Sequence, residues 1–366
     1  MKRILVGFIM DGRSGGIDNY LLNLLENVWE PELRIDFLSD RIDEELQERL
    51  KPYKSRIFAI PSLRRPFAQY RFVKKLIQKE NYDTLYFNIS TAIDFISPMA
   101  GKSAGVKRRL IHSHSSGNDS ESSVKRRILD GVNWVCRKFL YRFGTEFYGC
   151  SKKAGLWIFP EKVVESPQYE TILNAVDFSK FHYSEEERKR LREELNIKDS
   201  LVLGNVGNLR YQKNQEFLIR VMKEVVKTRR DVVLLIVGEG PRKEWFESLV
   251  KEENLTENIR FLGFRKDVNA LMNGMDVFLL PSRFEGLPTV GVEAQCVGLP
   301  CLMSDTITRE VKITKDCEFL TIQDEKIWVD KILRIKSKNR EEIQWLSIKD
   351  QYRMEALKEK QRKLLR

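Results

Sequence analysis

The sequence predicts an α/β fold made of two parallel-sheet halves in tandem. Short apolar, β-branched segments recur along the chain, and amphipathic helical patterns separate most of them. Strands apolar on both faces need cover on both sides, which alternating helices supply. The length agrees: 366 residues, at roughly 150 per domain, suggest two domains.

The first half opens with "RILVGFI" (3–9), which runs through a glycine loop into "DNYLLNLLENV", where Leu21, Leu24, Leu25 and Val28 share one helix face. Further strand candidates are "LRIDFLS", "SRIFAI", "DTLYFN", "RRLIHS" and "TEFYGCS". Near "TILNAVDFSKF" (171–181) a short strand runs out into an Asn-Ala-Val-Asp turn, the expected join. The charged helix "SEEERKRLREELNI" opens the second half. Its strands are "LVLGNVG" (201–207), "DVVLLIVG" (231–238), "IRFLGF" (259–264), "DVFLLPS" (276–282) and "PCLMSD" (300–305). Between the first two, "KNQEFLIRVMKEVVK" repeats Phe217, Val221 and Val225 at helical spacing. From about Glu341 the tail is charged and helical in pattern, with no strand after it. The expected domains are 1–172, 173–343 and a helical tail, 344–366, packing back on the first. The cleft between two Rossmann-like halves is the default ligand site.

With 42% hydrophobic and 32% charged residues, the composition is that of a soluble globular protein. No apolar run reaches the roughly 18 residues of a membrane span, and "MKRILVGFIMDG" lacks the long apolar core and cleavage site of a signal peptide. Five cysteines without zinc spacing suggest reduced, buried thiols and a cytoplasmic location. The net charge of +11 is uneven: from Arg64 to Lys153 there are 18 Lys or Arg against 7 Asp or Glu. Such a region suits nucleic acid, acidic lipid or a phosphorylated substrate, or is simply a solvated surface. Few aromatics interleave with the basic residues and no recognition motif accompanies them, so no nucleic acid partner is expected.

Chemistry concentrates in "PSRFEGLPTVGVEAQCVGLP" (281–300). An apolar strand ends at Pro281-Ser282, and Gly286-Leu287-Pro288 turns the chain into a helix. Pro288 suits the start of that helix, whose amides and dipole attract an anion. Glu285 falls in the loop and Glu293 about one turn into the helix. Two carboxylates beside an amide-lined anion site suit a sugar joined to a nucleotide diphosphate; the bland alternative is two solvated glutamates. In "VGNLRYQKN" (206–214), Arg210 and Lys213 follow a strand end and could clamp a diphosphate as it leaves, or be solvated cations. "GRSGGIDNY" (12–20) places Gly15 and Gly16 where backbone could approach a phosphate or sugar, a weak signal alone. A tight turn explains "VGEGP" (237–241) almost as well. His112 and His114, in "RLIHSHSS", are candidates for hydroxyl binding or proton transfer, or satisfied structural histidines. The chain has no Asp-x-Asp and no Cys/His metal spacing, so neither a metal nor another cofactor is expected.

Together these stretches resemble the retaining glycosyltransferases of family 4, which have the GT-B fold of two Rossmann-like parallel-sheet domains facing a central cleft. "RFEGLPTVGVEAQCVGLPCLMSD" looks like that family's E-x7-E segment. The resemblance implies that Glu285 contacts the donor sugar and Glu293 the nucleotide ribose, while amides of the Phe284, Gly286, Leu287 and Pro288 turn approach sugar and phosphate. "VGNLRYQKN" resembles the Gly-Arg-Leu-x-x-x-Lys segment: Lys213 matches the diphosphate-binding lysine, but Asn208 stands where the family has arginine. Arg210 is the candidate replacement. "SHS" matches the family's histidine near the transferred sugar, and His114 is favoured over His112. "SGGIDNYLLNLL" resembles the Gly-Gly-x-Glu segment with Asp18 for Glu, and "LNAVDFSKF" the Asn-Gly-Val-Asp interdomain turn. "YQKNQEFLI" and "EAQCVGLPCLMSD" are most similar to bacterial capsule and exopolysaccharide enzymes.

The resemblance implies hexosyl transfer with retention from a nucleotide diphosphate sugar, UDP by default, to a lipid-linked or oligosaccharide acceptor. The catalytic candidates are His114, Glu285, Lys213 and Arg210. The basic first half would place the enzyme peripherally on the anionic inner face of the cell membrane. The alternatives are a sugar-nucleotide 2-epimerase of the same architecture, or a non-catalytic partner subunit, which Asn208 keeps open.

Overall fold

In the computed structural model, which describes residues 2–10, 15–335, 340 and 342–365, the chain forms two compact units. Unit 1 comprises Met1–Asn118, Ser122–Asn174 and Glu355–Arg366; unit 2 comprises Asp119–Glu121 and Ala175–Met354.

Unit 1 is built on seven parallel strands: β1 (Lys2–Gly7), β2 (Leu33–Ser39), β3 (Ile57–Ala59), β4 (Thr84–Ile89), β5 (Arg108–Ser113), β6 (Glu146–Gly149) and β7 (Tyr169–Thr171). Their order is β3-β2-β1-β4-β5-β6-β7. On one face, Val73, Leu76 and Ile77 of helix Pro66–Glu80 and Cys136 and Leu140 of helix Ser123–Leu140 pack with Leu85, Phe87, Ile111 and Phe147. The C-terminal helix Met354–Leu365 is tied to this unit: Lys360 Nζ donates to Thr171 O (2.9 Å) and Asn27 Nδ2 to Gln361 Oε1 (2.8 Å).

Unit 2 has six parallel strands: β8 (Leu201–Val206), β9 (Val232–Val237), β10 (Ile259–Gly263), β11 (Val277–Leu280), β12 (Cys301–Ser304) and β13 (Cys317–Leu320), in the order β10-β9-β8-β11-β12-β13. Phe217, Val221 and Val225 of helix Gln215–Thr228 pack with Leu203, Leu234 and Trp328. Each such side chain contributes about 1.5–3 kcal/mol by leaving water. All five cysteines are buried and none forms a disulfide.

The expected strands form where the apolar runs lie, with two differences. β7 ends where the expected 171–181 segment begins, and β13 has no counterpart in the sequence reading. β13 is a four-residue edge strand with Glu318 exposed, so the two-sided apolar run that marks a central strand is missing.

Arg340 staples unit 2 together. It is 7% exposed, and its five N–H donors go to backbone carbonyls: Nε and Nη2 to Val297 O, Nη2 to Met272 O, and Nη1 to Asn273 O and Met275 O, at 2.7–3.1 Å. These carbonyls close helices Val268–Gly274 and Thr289–Cys296, where a cation suits the dipole. Burial lowers the Arg340 pKa to about 10, so the charge persists at neutral pH. Arg340→Met leaves these carbonyls without their donor and should cost about 3–5 kcal/mol, lowering the midpoint of thermal unfolding by about 10 °C; an unchanged calorimetric midpoint would refute this.

Candidate functional site

The strand order of unit 2 reverses at β8, which lies between β9 and β11. In open parallel sheets, ligands bind outside the carboxyl ends of the strands at such a point. The loops that follow β8 and β11, residues 207–214 and 281–288, contain nearly all the residues that the sequence reading singled out for this unit.

Lys213 and Glu285 are brought together. Lys213 Nζ lies 2.7 Å from Glu285 Oε1, with side chains only 16% and 7% exposed. Gln212 Nε2 donates to Glu285 Oε2 (2.9 Å) and to Phe284 O (3.1 Å). Arg283 braces both loops: its N–H donates to Gln212 O (2.8 Å), its guanidinium to Tyr211 O (2.6 Å), and it pairs with Glu216. Asn214, in the left-handed region at φ 57°, ties the loops again through Nδ2 to Pro281 O (3.1 Å). The ammonium has three donors and Glu285 takes one, so the pair can engage an anion without separating.

Arg210 faces Asp119, a carboxylate that also feels the charge of Lys213. The arginine is half-exposed and lies 3.7 Å from Asp119. The Gln212 N–H donates to Asp119 Oδ1 (2.8 Å) and the Tyr211 N–H to Glu121 Oε1 (3.2 Å). Two carboxylates thus accept from loop amides, as phosphate oxygens would. The sequence reading missed both; their one signal is that they are acidic residues inside the basic region. It also missed Gln212, which only its place between the two cations could have marked. Asn208 is exposed, and its carbonyl accepts from Gln215 Nε2 (3.2 Å). The glycines of "VGEGP" serve chain packing: a Cβ on Gly238 would lie 2.2 Å from Gly207 O, and one on Gly240 2.5 Å from Leu209 O.

Helix Thr289–Cys296 has no side-chain cap at its N-terminus. Pro288, just before it, has no N–H to give, and the Gly291 N–H donates back to Pro288 O (2.9 Å), so the first-turn donors without an intrahelical partner are the Thr289 and Val290 N–H groups. Gly286, Leu287 and Pro288 are buried and Phe284 is partly so. Glu293 lies one turn in, and burial pushes its carboxyl up to about 7, partly offset by the charge of Lys180. The helix is fixed from behind by buried Gln295, whose Nε2 donates to Gly291 O and Val311 O (both 2.8 Å) while Oε1 accepts from the Ile313 N–H (2.8 Å).

In unit 1, Gly15 and Gly16 stand at the start of helix Gly16–Val28, with open space where a Cβ would go. Residues 12–14 of that loop lie outside the described residues. Asp18 is buried and its Oδ1 accepts from the Met10 N–H (3.0 Å), fixing the strand-to-helix connection. His112 is fully buried, with Nδ1 2.6 Å from Tyr86 OH. His114, just past β5, is partly exposed; its Nε2–H donates to Asn88 Oδ1 (2.9 Å), which leaves Nδ1 as the acceptor of a neutral ring. Burial pushes His112 well below the usual imidazole range and His114 down to about 3. His114 is therefore neutral at working pH, a hydrogen-bonding group and a weak base.

That shift has a sign. Between its folded value and about 6.5 the unfolded chain binds the extra proton, so the His114 contribution is lost as pH falls. From pH 7 to 5 the loss is on the order of 2 kcal/mol. Glu293, shifted upward, acts in the opposite direction. The test is therefore a difference: His114→Gln should lose less stability than wild type from pH 7 to 5 in urea unfolding, and equal losses would refute it.

Residues 187–362 match the family described as glycosyl transferases group 1. The putative glycosyltransferase EpsF of Bacillus subtilis (strain 168) is 29% identical over 317 residues, 85% of this chain and 81% of EpsF. The UDP-Gal:alpha-D-GlcNAc-diphosphoundecaprenol alpha-1,3-galactosyltransferase of Escherichia coli is 26% identical over 304 residues, 78% of each chain. Among solved structures, Anabaena Alr3699/HepE in complex with UDP and glucose superposes with a TM-score of 0.74 at 17% identity, covering 100% of this chain and 99% of that one. Likeness at that identity bears on fold: two parallel-sheet α/β units, as in GT-B glycosyltransferases.

Proposed function

We propose that this protein transfers a hexosyl group from a nucleotide diphosphate sugar, with UDP as the nucleotide, to a lipid-linked saccharide acceptor in surface polysaccharide assembly, with retention and without a metal. The observation that carries this reading is the Lys213–Glu285 pair at the β8/β11 switch point, with Glu293 in the adjoining helix. The E. coli relative is named for a UDP-galactose donor and a diphosphoundecaprenol-linked acceptor, and the Anabaena structure holds UDP. No helix among the described residues is long and apolar enough to cross a membrane; in this proposal the enzyme meets its lipid-linked acceptor peripherally, at the inner face of the cell membrane.

In the proposed reaction the bond between the anomeric carbon and the β-phosphate oxygen breaks as the nucleotide diphosphate departs from the front face. Lys213, Arg210 and the first-turn amides of helix Thr289–Cys296 take up its developing charge. The leaving phosphate oxygen accepts the acceptor hydroxyl's proton, and the new bond forms on the same face. Glu285 orients the sugar and Glu293 accepts from the ribose hydroxyls. The test is NMR of the product made from an α-linked donor and a diphospholipid-linked sugar in EDTA. An α-linkage formed without metal supports the reading; a β-linkage, or turnover that EDTA abolishes, contradicts it.

A further inference from the structure

Helix Ser123–Leu140 carries apolar residues on its outward face as well as on the face that meets the core. Its inward face carries polar Asn133, which is 2% exposed and fully engaged: Oδ1 accepts from the Ala92 N–H (2.7 Å) and Thr91 Oγ1 (2.9 Å), and Nδ2 donates to Trp157 O (3.0 Å). Cys136 and Leu140 lie on the same side in the core. These contacts fix the helix rotation, and the opposite face is apolar. Val124, Ile128, Val132 and Val135, spaced at i, i+4, i+8 and i+11, are 67%, 62%, 41% and 51% exposed. Water-facing helix surfaces are normally polar, and an exposed apolar stripe of this kind marks an interaction site.

The flanks of the stripe identify its partner. Exposed Lys125 borders it on one side, and exposed Arg127 and Lys138 on the other. Trp134, 56% exposed, sits at that border with Lys138 Nζ 3.2 Å from its ring centroid. Asp130 is the helix's one acidic residue. An apolar stripe between rows of cations, with a tryptophan at the edge, has the chemistry of a helix lying in the interface of an anionic bilayer. A protein partner would need a matching acidic, apolar groove, to which nothing among the described residues points. On the same sheet face, helix Pro66–Glu80 adds exposed Phe67, 81% exposed, and exposed Arg71 and Lys75.

We propose that helix Ser123–Leu140 docks this protein on anionic lipid, its valine–isoleucine stripe entering the headgroup–acyl boundary while Lys125, Arg127 and Lys138 meet phosphate. This deepens the proposed function, and rests on it insofar as a lipid-linked acceptor brings the enzyme to a membrane.

The test is flotation of the full-length protein with phosphatidylglycerol/phosphatidylcholine vesicles and with phosphatidylcholine alone, without substrates. Wild type should float with the anionic vesicles and remain below with the neutral ones. I128E/V135E should lose at least tenfold in partitioning, and K125Q/R127Q on the order of 25-fold, about fivefold per charge. Both pairs are solvent-exposed, so circular dichroism and the thermal shift with UDP-glucose should match wild type. Wild type that ignores anionic vesicles, or variants that float equally well, would overturn the inference while leaving nucleotide binding to judge the function separately. So would a wild-type dimer that I128E/V135E turns into a monomer, since the face would then be a protein interface.

Discussion

Lys213→Ala should lower sugar transfer on the order of 10²- to 10³-fold, the usual effect of removing one preorganised group from a site where charge develops. The arrangement that makes Lys213 useful also complicates the experiment. Its ammonium neutralises buried Glu285, and stripping one partner from a buried pair costs about 3–5 kcal/mol because the other charge is left alone. Lost activity could then reflect lost structure. Lys213→Met combined with Glu285→Gln separates the two: the pair becomes neutral, so the unfolding midpoint should recover while turnover does not. Recovery of both would make Lys213 a structural residue. Arg210→Ala should cost less, because Arg210 is half-exposed and directed toward Asp119.

Glu293 should make donor affinity depend on pH in a defined direction. Burial raises its pKa to about 7 in the free protein, whereas accepting from two ribose hydroxyls, one on each oxygen, favours the ionised form, in which neither oxygen carries a proton. Affinity for UDP-glucose should therefore be flat above pH 7 and fall toward tenfold per pH unit below it. A nucleotide sugar suits this measurement because its diphosphate keeps its charge over the range. Glu293→Gln should weaken binding at pH 8 by about 10- to 100-fold, the value of a charged hydrogen bond, and abolish the pH dependence. Calorimetric titration that finds the same slope in the variant would assign the proton elsewhere.

The strands of both sheets were legible because segments such as "VVLLIV" are apolar on both faces, which a parallel sheet covered by helices requires. β13 was not, since an edge strand holding Glu318 lacks that pattern. Of the candidate site, the loop residues around Lys213 and Glu285 were legible from strand-end position and charge. Their ion pair was not, because spacing along the chain says nothing about two loops meeting across adjacent strands. Asp119, Glu121 and Arg340 lie far in sequence from the groups they hold, in stretches whose composition suggests only solvated charge. The inward turn of Asn133 was hidden for a similar reason: its partners, Thr91, Ala92 and Trp157, come from separate segments.

In the proposed function, unit 2 binds a nucleotide diphosphate sugar through Lys213 and Glu293. Thermal unfolding with UDP, GDP, ADP and their sugars tests it most directly, because a ligand at 100 times its Kd stabilises by about 2.7 kcal/mol. One nucleotide class should raise the midpoint in wild type, and the increment should vanish in Lys213→Met/Glu285→Gln and shrink in Glu293→Gln. If no nucleotide raised it, or if the increment survived in both variants, the site would lie elsewhere.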